Sequence, residues 1–170
     1  HFAIRRQRQM CIRDRKRGES DSSLSMHKEA LELYISMNDA LGAARSYSNM
    51  GYILRRTGNK EKALEAYSEV EKILSTDDAE ELIPARIVLA RALLDLGEND
   101  RARDHALSAF ESTESSDDPI LHARAQAVLG RYYAKSEDAD LALHHYTDAL
   151  STMGEAGDCL LYTSDAADEW

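Results

Sequence analysis

The sequence predicts an all-α protein: antiparallel helix pairs stacked as an α-solenoid of about seven helices. Three observations lead there. First, the stretches Tyr47–Val70 (YSNMGYILRRTGNKEKALEAYSEV), Arg86–Ala109 (RIVLARALLDLGENDRARDHALSA) and Gln126–Ala149 (QAVLGRYYAKSEDADLALHHYTDA) align at a period of 39 to 40 residues. Second, apolar residues within each recur at three- and four-residue spacing, which makes one buried stripe per helix. Third, small residues stand at fixed places on those stripes, where two helices must approach closely, and a short polar turn divides each stretch in two.

Taken in chain order, the first expected helix is 24–37. Its segment EALELYISM (Glu29–Met37) carries Ala30, Leu31, Tyr34 and Met37 in the pattern of a second helix, and the first helix of that pair is expected to have been cut away. The first full pair spans 40–74, with helices 40–57 and 60–74. Met50, Gly51 and Leu54 lie before the turn Gly58-Asn59, and Ala63, Tyr67 and Val70 after it. The second pair spans 79–112 (79–96 and 99–112), with Leu89, Ala90 and Leu93, the turn Gly97-Glu98-Asn99, then Ala102, Ala106 and Ala109. The third spans 118–152 (118–135 and 138–152), with Leu129, Gly130 and Tyr133, the turn Ser136-Glu137-Asp138, then Ala142, Tyr146 and Ala149. Gly58 and Gly97 suit the left-handed residue that ends a helix, and Asn59 and Asn99 suit the cap of the next. Asp118 before Pro119 is a cap followed by proline at the first helical position. Pro84 is tolerated only where a helix starts or bends.

This pattern of large, small, two spacers, large, turn, alanine, aromatic, small resembles the tetratricopeptide repeat. The period exceeds the usual ~34 residues, as in a longer variant of the repeat. The resemblance covers Leu24 to about Met153. Two departures stand out: the second copy has Ala90 and Ala106 where the family prefers glycine and an aromatic, and the third copy lacks the turn glycine. The resemblance implies a right-handed solenoid whose first helices line a groove for a partner peptide or helix. Carried over by repeat position, the groove residues are Arg45, Ser48, Tyr52 and Arg55; Pro84, Ile87, Arg91 and Leu94; and Arg124, Ala127, Arg131 and Ala134, with Lys135 beside them. The repeat core is Met50, Gly51, Leu54, Ala63, Tyr67, Leu89, Ala90, Leu93, Ala102, Leu129, Gly130, Tyr133, Ala142 and Tyr146.

The two ends of the chain read differently. Arg5–Arg15 (RRQRQMCIRDR) and Cys159–Asp168 (CLLYTSDAAD) can be encoded by one DNA segment and its reverse complement. That segment resembles the adapter of a transposase-based sequencing library. Residues 1–15 and 159–170 are therefore expected to be adapter-derived, and 16–158 to be a natural fragment cut from a longer gene. Setting aside Arg5, Arg6, Arg8, Arg13 and Arg15 with Asp14, Asp165, Asp168 and Glu169 leaves 16 basic and 27 acidic residues, a net charge of −11. No cysteine or tryptophan remains, which removes disulfides, thiol nucleophiles and zinc–thiolate sites. That charge opposes a phosphate backbone, so no nucleic-acid partner is expected. No apolar run reaches the length of a membrane span, and no membrane partner is expected.

Catalytic signals are equally thin. His144 and His145 are adjacent, so on a helix they point roughly 100° apart and do not share one metal. His105 and His122 lack companions at ligand spacing, and no glycine-rich phosphate loop or nucleophile turn is present. No catalytic residue, metal site or cofactor is expected. Arginine is rich in the first helices of the pairs and acid in the second, which suits an acidic peptide because arginine forks match carboxylates. The competing reading pairs those arginines with acids of neighbouring repeats. A receptor for chaperone tails is not expected, since the clamp of such receptors would need polar residues where Pro84, Ile87 and Val88 stand. The sequence thus points to a non-catalytic protein-binding module, and the resemblance to the longer variant of the repeat implies a cytoplasmic scaffold or sensory part of a larger signalling or transcriptional regulator. The alternative is the regulatory array of a larger enzyme such as a cyclase, kinase or protease.

Overall fold

Four turns of the chain are built on one template, and they account for the helix pairs. Each places one residue in the left-handed region: Asn38 (φ 56°), Gly58 (φ 84°), Gly97 (φ 83°) and Glu137 (φ 62°). The next residue's N–H then reaches back to the carbonyl five positions earlier: Asp39 to Tyr34, Asn59 to Leu54, Glu98 to Leu93 and Asp138 to Tyr133, all 2.9–3.0 Å. That is the Schellman closure, which satisfies carbonyls left open at a helix end. The same residue opens the following helix. Asp39, Asn59 and Asp138 each accept an N–H three residues on, from Gly42 (2.8 Å), Lys62 (3.3 Å) and Leu141 (3.2 Å). At the third turn the cap position holds Glu98, and Asn99 is already the first helical residue; the expected capping role of Asn99 is corrected accordingly.

The structure, a computed structural model, describes residues 2–76, 80–114 and 118–155, with side chains from Gly18 onward. The helices are α1 (Phe2–Ser36), α2 (Ala40–Arg56), α3 (Lys60–Thr76), α4 (Ile83–Leu96), α5 (Asn99–Glu114), α6 (Pro119–Lys135) and α7 (Ala139–Glu155). A 3₁₀ turn, Glu80–Leu82, precedes α4. The fold is an all-α helical repeat of the solenoid class. α1 starts far ahead of the expected residue 24: the chain before it continues the same helix. α4 begins at Ile83 rather than 79, because Pro84 fits only in a first helical turn. The adapter reading of residues 1–15 concerns side chains outside the described residues, and 159–170 lie wholly outside them.

Contacts divide the chain into two units, His1–Asp77 and Asp78–Trp170. In the first, α2 packs on both α1 and α3. Its core rests on a close approach. A Cβ on Gly51 would lie 2.6 Å from the Tyr67 ring, and Tyr67 is itself only 1% exposed. Gly42 is crowded in the same way by Tyr34. In the second unit α4 packs on α5 and α6, α5 on α6, and α6 on α7. Leu89, Leu93, Leu94 and Leu129 are fully buried there with Ala90, Ala102 and Ala106. Tyr146 takes the place of Tyr67, its ring 3.0 Å from a Cβ built on Gly130. Unlike Tyr67 it is 36% exposed, so its expected place in the core is corrected to a half-covered one. Met50, Leu54 and Tyr133 are half-buried.

The fourth turn is the weak copy of the template. Glu137 adopts φ 62° with a side chain on its Cβ, a conformation costing L-residues roughly 1 kcal/mol that glycine avoids. Glu137→Gly is therefore expected to raise the stability of the second unit by about 0.5–1 kcal/mol in urea unfolding.

Candidate functional site

The first helices of the pairs, α2, α4 and α6, carry the charge pattern of interest. α2 holds Arg45, Arg55 and Arg56 and no acid; α6 holds Arg124, Arg131 and Lys135 and no acid; α4 holds Arg86, Arg91 and Asp95. Asp39 and Asp118 cap α2 and α6, and Pro84 and Pro119 sit in first turns, so each helix begins at a residue chosen by local chemistry.

In the first unit, Arg45 is exposed and has no hydrogen bond or ion pair among the described residues. Arg55 and Arg56 both lie 5.5 Å from the centre of the Tyr52 ring, and Arg56 Nη1 donates to the Tyr52 hydroxyl at 3.3 Å. Ser48 is buried, its hydroxyl without a partner among the described residues, so it lies inside rather than on an open groove. A separate groove of about 430 Å³ opens between α1 and α2, where Met26, Ala30 and Tyr34 face Arg45, Ser46 and Asn49.

In the second unit the arginines divide into two kinds. Arg131 Nη2 donates to Asp95 Oδ1 at 2.5 Å, from α6 to α4, and Lys135 Nζ donates to the Leu94 carbonyl at the end of α4. These two cations join neighbouring helices. Arg91 and Arg124 are exposed and have no partner among the described residues. Ile87 and Leu94 are buried, because α4 is covered on two sides, by α5 and by α6. They are corrected as groove residues: the open stripe of α4 runs through Pro84, Val88, Arg91 and Asp95 instead. Ala127 is half-buried and Ala134 exposed.

The sequence reading missed a line of rings joining α5, α6 and α7. The His122 ring lies 5.0 Å from Phe110, Phe110 lies 5.9 Å edge-on from His145, and His145 stacks on Tyr133 at 5.3 Å and 1°. Thr113 Oγ1 is 3.0 Å from His122 Nδ1. No motif flags these contacts, because their members are far apart in sequence and of four residue types. His145 Nδ1 is buried without a hydrogen-bond partner among the described residues. Burial holds the His145 imidazole below its ordinary pKa, with the neighbouring His144 adding to the effect and Asp148 opposing it. The unfolded chain takes up a proton near pH ~6.5, and the folded chain resists it. Stability is thus complete above that pH, falls as pH drops through it, and levels off below the folded value. His145→Gln is expected to flatten this acid-side decline in a melting series between pH 8 and 5.

Among the described residues, no group of three metal-binding side chains gathers, and no helix is long and apolar enough to cross a membrane.

Comparison with known proteins agrees with the geometry. A tetratricopeptide-repeat family model matches residues 13–76 and a second matches 83–107. No curated protein matches the chain. Among solved structures, BtubC (BKLC) from P. vanneervenii is similar, with a TM-score of 0.68 and 23% identity. The match covers 83% of this chain and 58% of that one, so the chain spans little more than half the length of its structural neighbour. At that identity the likeness concerns the fold. The two family matches fall on α1 to α3 and on α4 with part of α5, and together with the fold they make this chain a tetratricopeptide-like helical-repeat protein.

Proposed function

We propose that the chain is a non-catalytic protein-interaction module whose second unit binds an acidic peptide segment across α4 and α6. Tetratricopeptide repeats in general mediate protein–protein interaction. The observation that carries the finer reading is the division among the cations. Arg131 and Lys135 are engaged between the helices, whereas Arg91 and Arg124 are open on two helices that touch. The one acid of α4 and α6, Asp95, is already engaged by Arg131, so the face is left positive. Guanidinium groups so placed favour carboxylates, which they hold through paired hydrogen bonds. This role suits a cytoplasmic scaffold or sensory segment of a larger signalling or transcriptional regulator.

The test is binding of fluorescent acidic peptides at two ionic strengths. Arg91→Glu with Arg124→Glu is expected to weaken binding at least tenfold and to flatten its salt dependence. Unchanged affinity and unchanged salt dependence would overturn the reading. Arg131→Glu is not a substitute, because it also breaks the bond to Asp95.

A further inference from the structure

Two bonds fix the register of α6 against α4. Arg131 donates to Asp95, and Lys135 donates to the Leu94 carbonyl, so both join the last turns of the two helices. A single helix, α5, lies between α4 and α6 in the chain and packs on both, so α4 and α6 run in the same direction. Four residues back from the Asp95–Arg131 pair, Arg91 stands level with Ala127. Seven residues back, Val88 stands level with Arg124. Steps of four and seven return to the same side of a helix, so these residues share the sides on which α4 and α6 meet.

The result is a checkerboard of four side chains. Arg91 and Arg124 hold one diagonal, and both are exposed without a partner among the described residues. Val88 and Ala127 hold the other; Val88 is 39% exposed and Ala127 half-buried. Two long cations thus flank a shallow apolar floor made by two short side chains. The bond between Asp95 and Arg131 closes one edge of that floor.

The dimensions and chemistry specify a ligand. Arg91 and Arg124 differ by three residues of rise, about 4.5 Å, on helices packed roughly 8–10 Å apart, so their backbones are about 10 Å apart on the diagonal. An extended chain advances about 3.3 Å per residue and shows alternate side chains on one face, so its first, third and fifth residues span about 13 Å. The long arginine side chains cover the small difference by leaning outward. A polar residue at the centre would lose water without gaining a partner, since Val88 and Ala127 carry no side-chain donor or acceptor. An apolar residue there removes Val88 from water and gains by it.

We propose that this face reads an extended segment of a partner protein in which a carboxylate, an apolar residue and a second carboxylate stand at alternate positions. The carboxylates meet Arg91 and Arg124, and the apolar side chain rests on Val88 and Ala127. The inference rests on the reading of the second unit as an acidic-peptide site, and it adds what separates one acidic segment from another of equal charge.

The probes are two fluorescein-labelled peptides of identical composition with glycine flanks. Glu-Thr-Leu-Thr-Glu puts leucine on the face of both acids, and Glu-Leu-Thr-Thr-Glu turns it to the opposite face. Threonine spacers favour the extended form. Each is titrated into the full chain by fluorescence anisotropy at two ionic strengths. The first is expected to bind about fivefold more tightly than the second. That ratio is expected to persist as salt weakens both, because salt screens charges and not apolar contact. Val88→Ser is expected to bring the two affinities together while binding of the second peptide stays unchanged; an unaltered melting temperature shows the variant to be folded. Equal affinities for the unsubstituted chain, a ratio that vanishes with salt, or a preference that survives Val88→Ser would overturn this inference and leave acidic-peptide binding in place. Binding of neither peptide would overturn both readings.

Discussion

Tyr67→Ala is expected to destabilise the first unit by about 3–5 kcal/mol, the range for deleting a large buried ring. Tyr67 is fully enclosed, and its ring lies over the backbone of Gly51, where even a Cβ would come within 2.6 Å. No small shift of α2 fills the space that the ring leaves, because helix backbones are stiff and the site is already close-packed. The cost therefore includes both lost apolar burial and a residual cavity. Urea unfolding followed by far-ultraviolet circular dichroism measures it. A loss below about 1 kcal/mol would mean that the helices close over the gap and that the Gly51 contact is not a fixed feature of the unit.

Ala106→Tyr is expected to destabilise the second unit by about 1–3 kcal/mol, the range for overpacking a filled core. The reason lies in a comparison of three copies within one chain. Gly51 meets Tyr67 and Gly130 meets Tyr146, while at the corresponding places of the middle copy stand Ala90 and Ala106, both buried. Where the aromatic is absent, the glycine is absent too. A ring at 106 would press on the Cβ of Ala90 much as rings press on the Cβ positions built at Gly51 and Gly130. Ala90→Gly alone costs about 1 kcal/mol, since glycine is a poor residue for a helix interior. Combined with Ala106→Tyr, it is expected to recover part of the loss, with a coupling of at least about 1 kcal/mol in a double-mutant cycle. Strict additivity of the two substitutions would show that the middle copy is filled by other means.

The same comparison shows what the sequence discloses and what it withholds. The helix pairs were legible because three copies repeat the same small, large and turn positions, and Gly58 and Gly97 marked helix ends that adopt positive φ. Glu137 shows that the turn persists without glycine, since the Schellman closure at Asp138 is held by backbone bonds that any residue makes. The candidate site was less legible. Repeat position placed Ile87 and Leu94 on the groove, but it could not show that α4 is covered by α5 and α6 together, which buries both and leaves Val88 open. Nor does position reveal partners: Arg91 and Arg131 occupy the same repeat site, yet only Arg131 finds Asp95, because a partner depends on the neighbouring helix. The start of α1 was missed because Gly18 and the cap-forming types Ser20, Asp21, Ser22 and Ser23 signal a helix boundary, yet the helix runs through them.

The four turns have a kinetic consequence. Each joins its helices through only two or three residues, and each is closed by bonds spanning five positions. The contacts that form first are thus close together along the chain, and the entropy lost in closing them is small. Chains dominated by such near-neighbour contacts fold in microseconds to milliseconds. A helix pair of this protein can therefore form from its own turn outward before distant segments meet, and a substitution that spoils one turn slows its own pair while the others proceed at their normal rate.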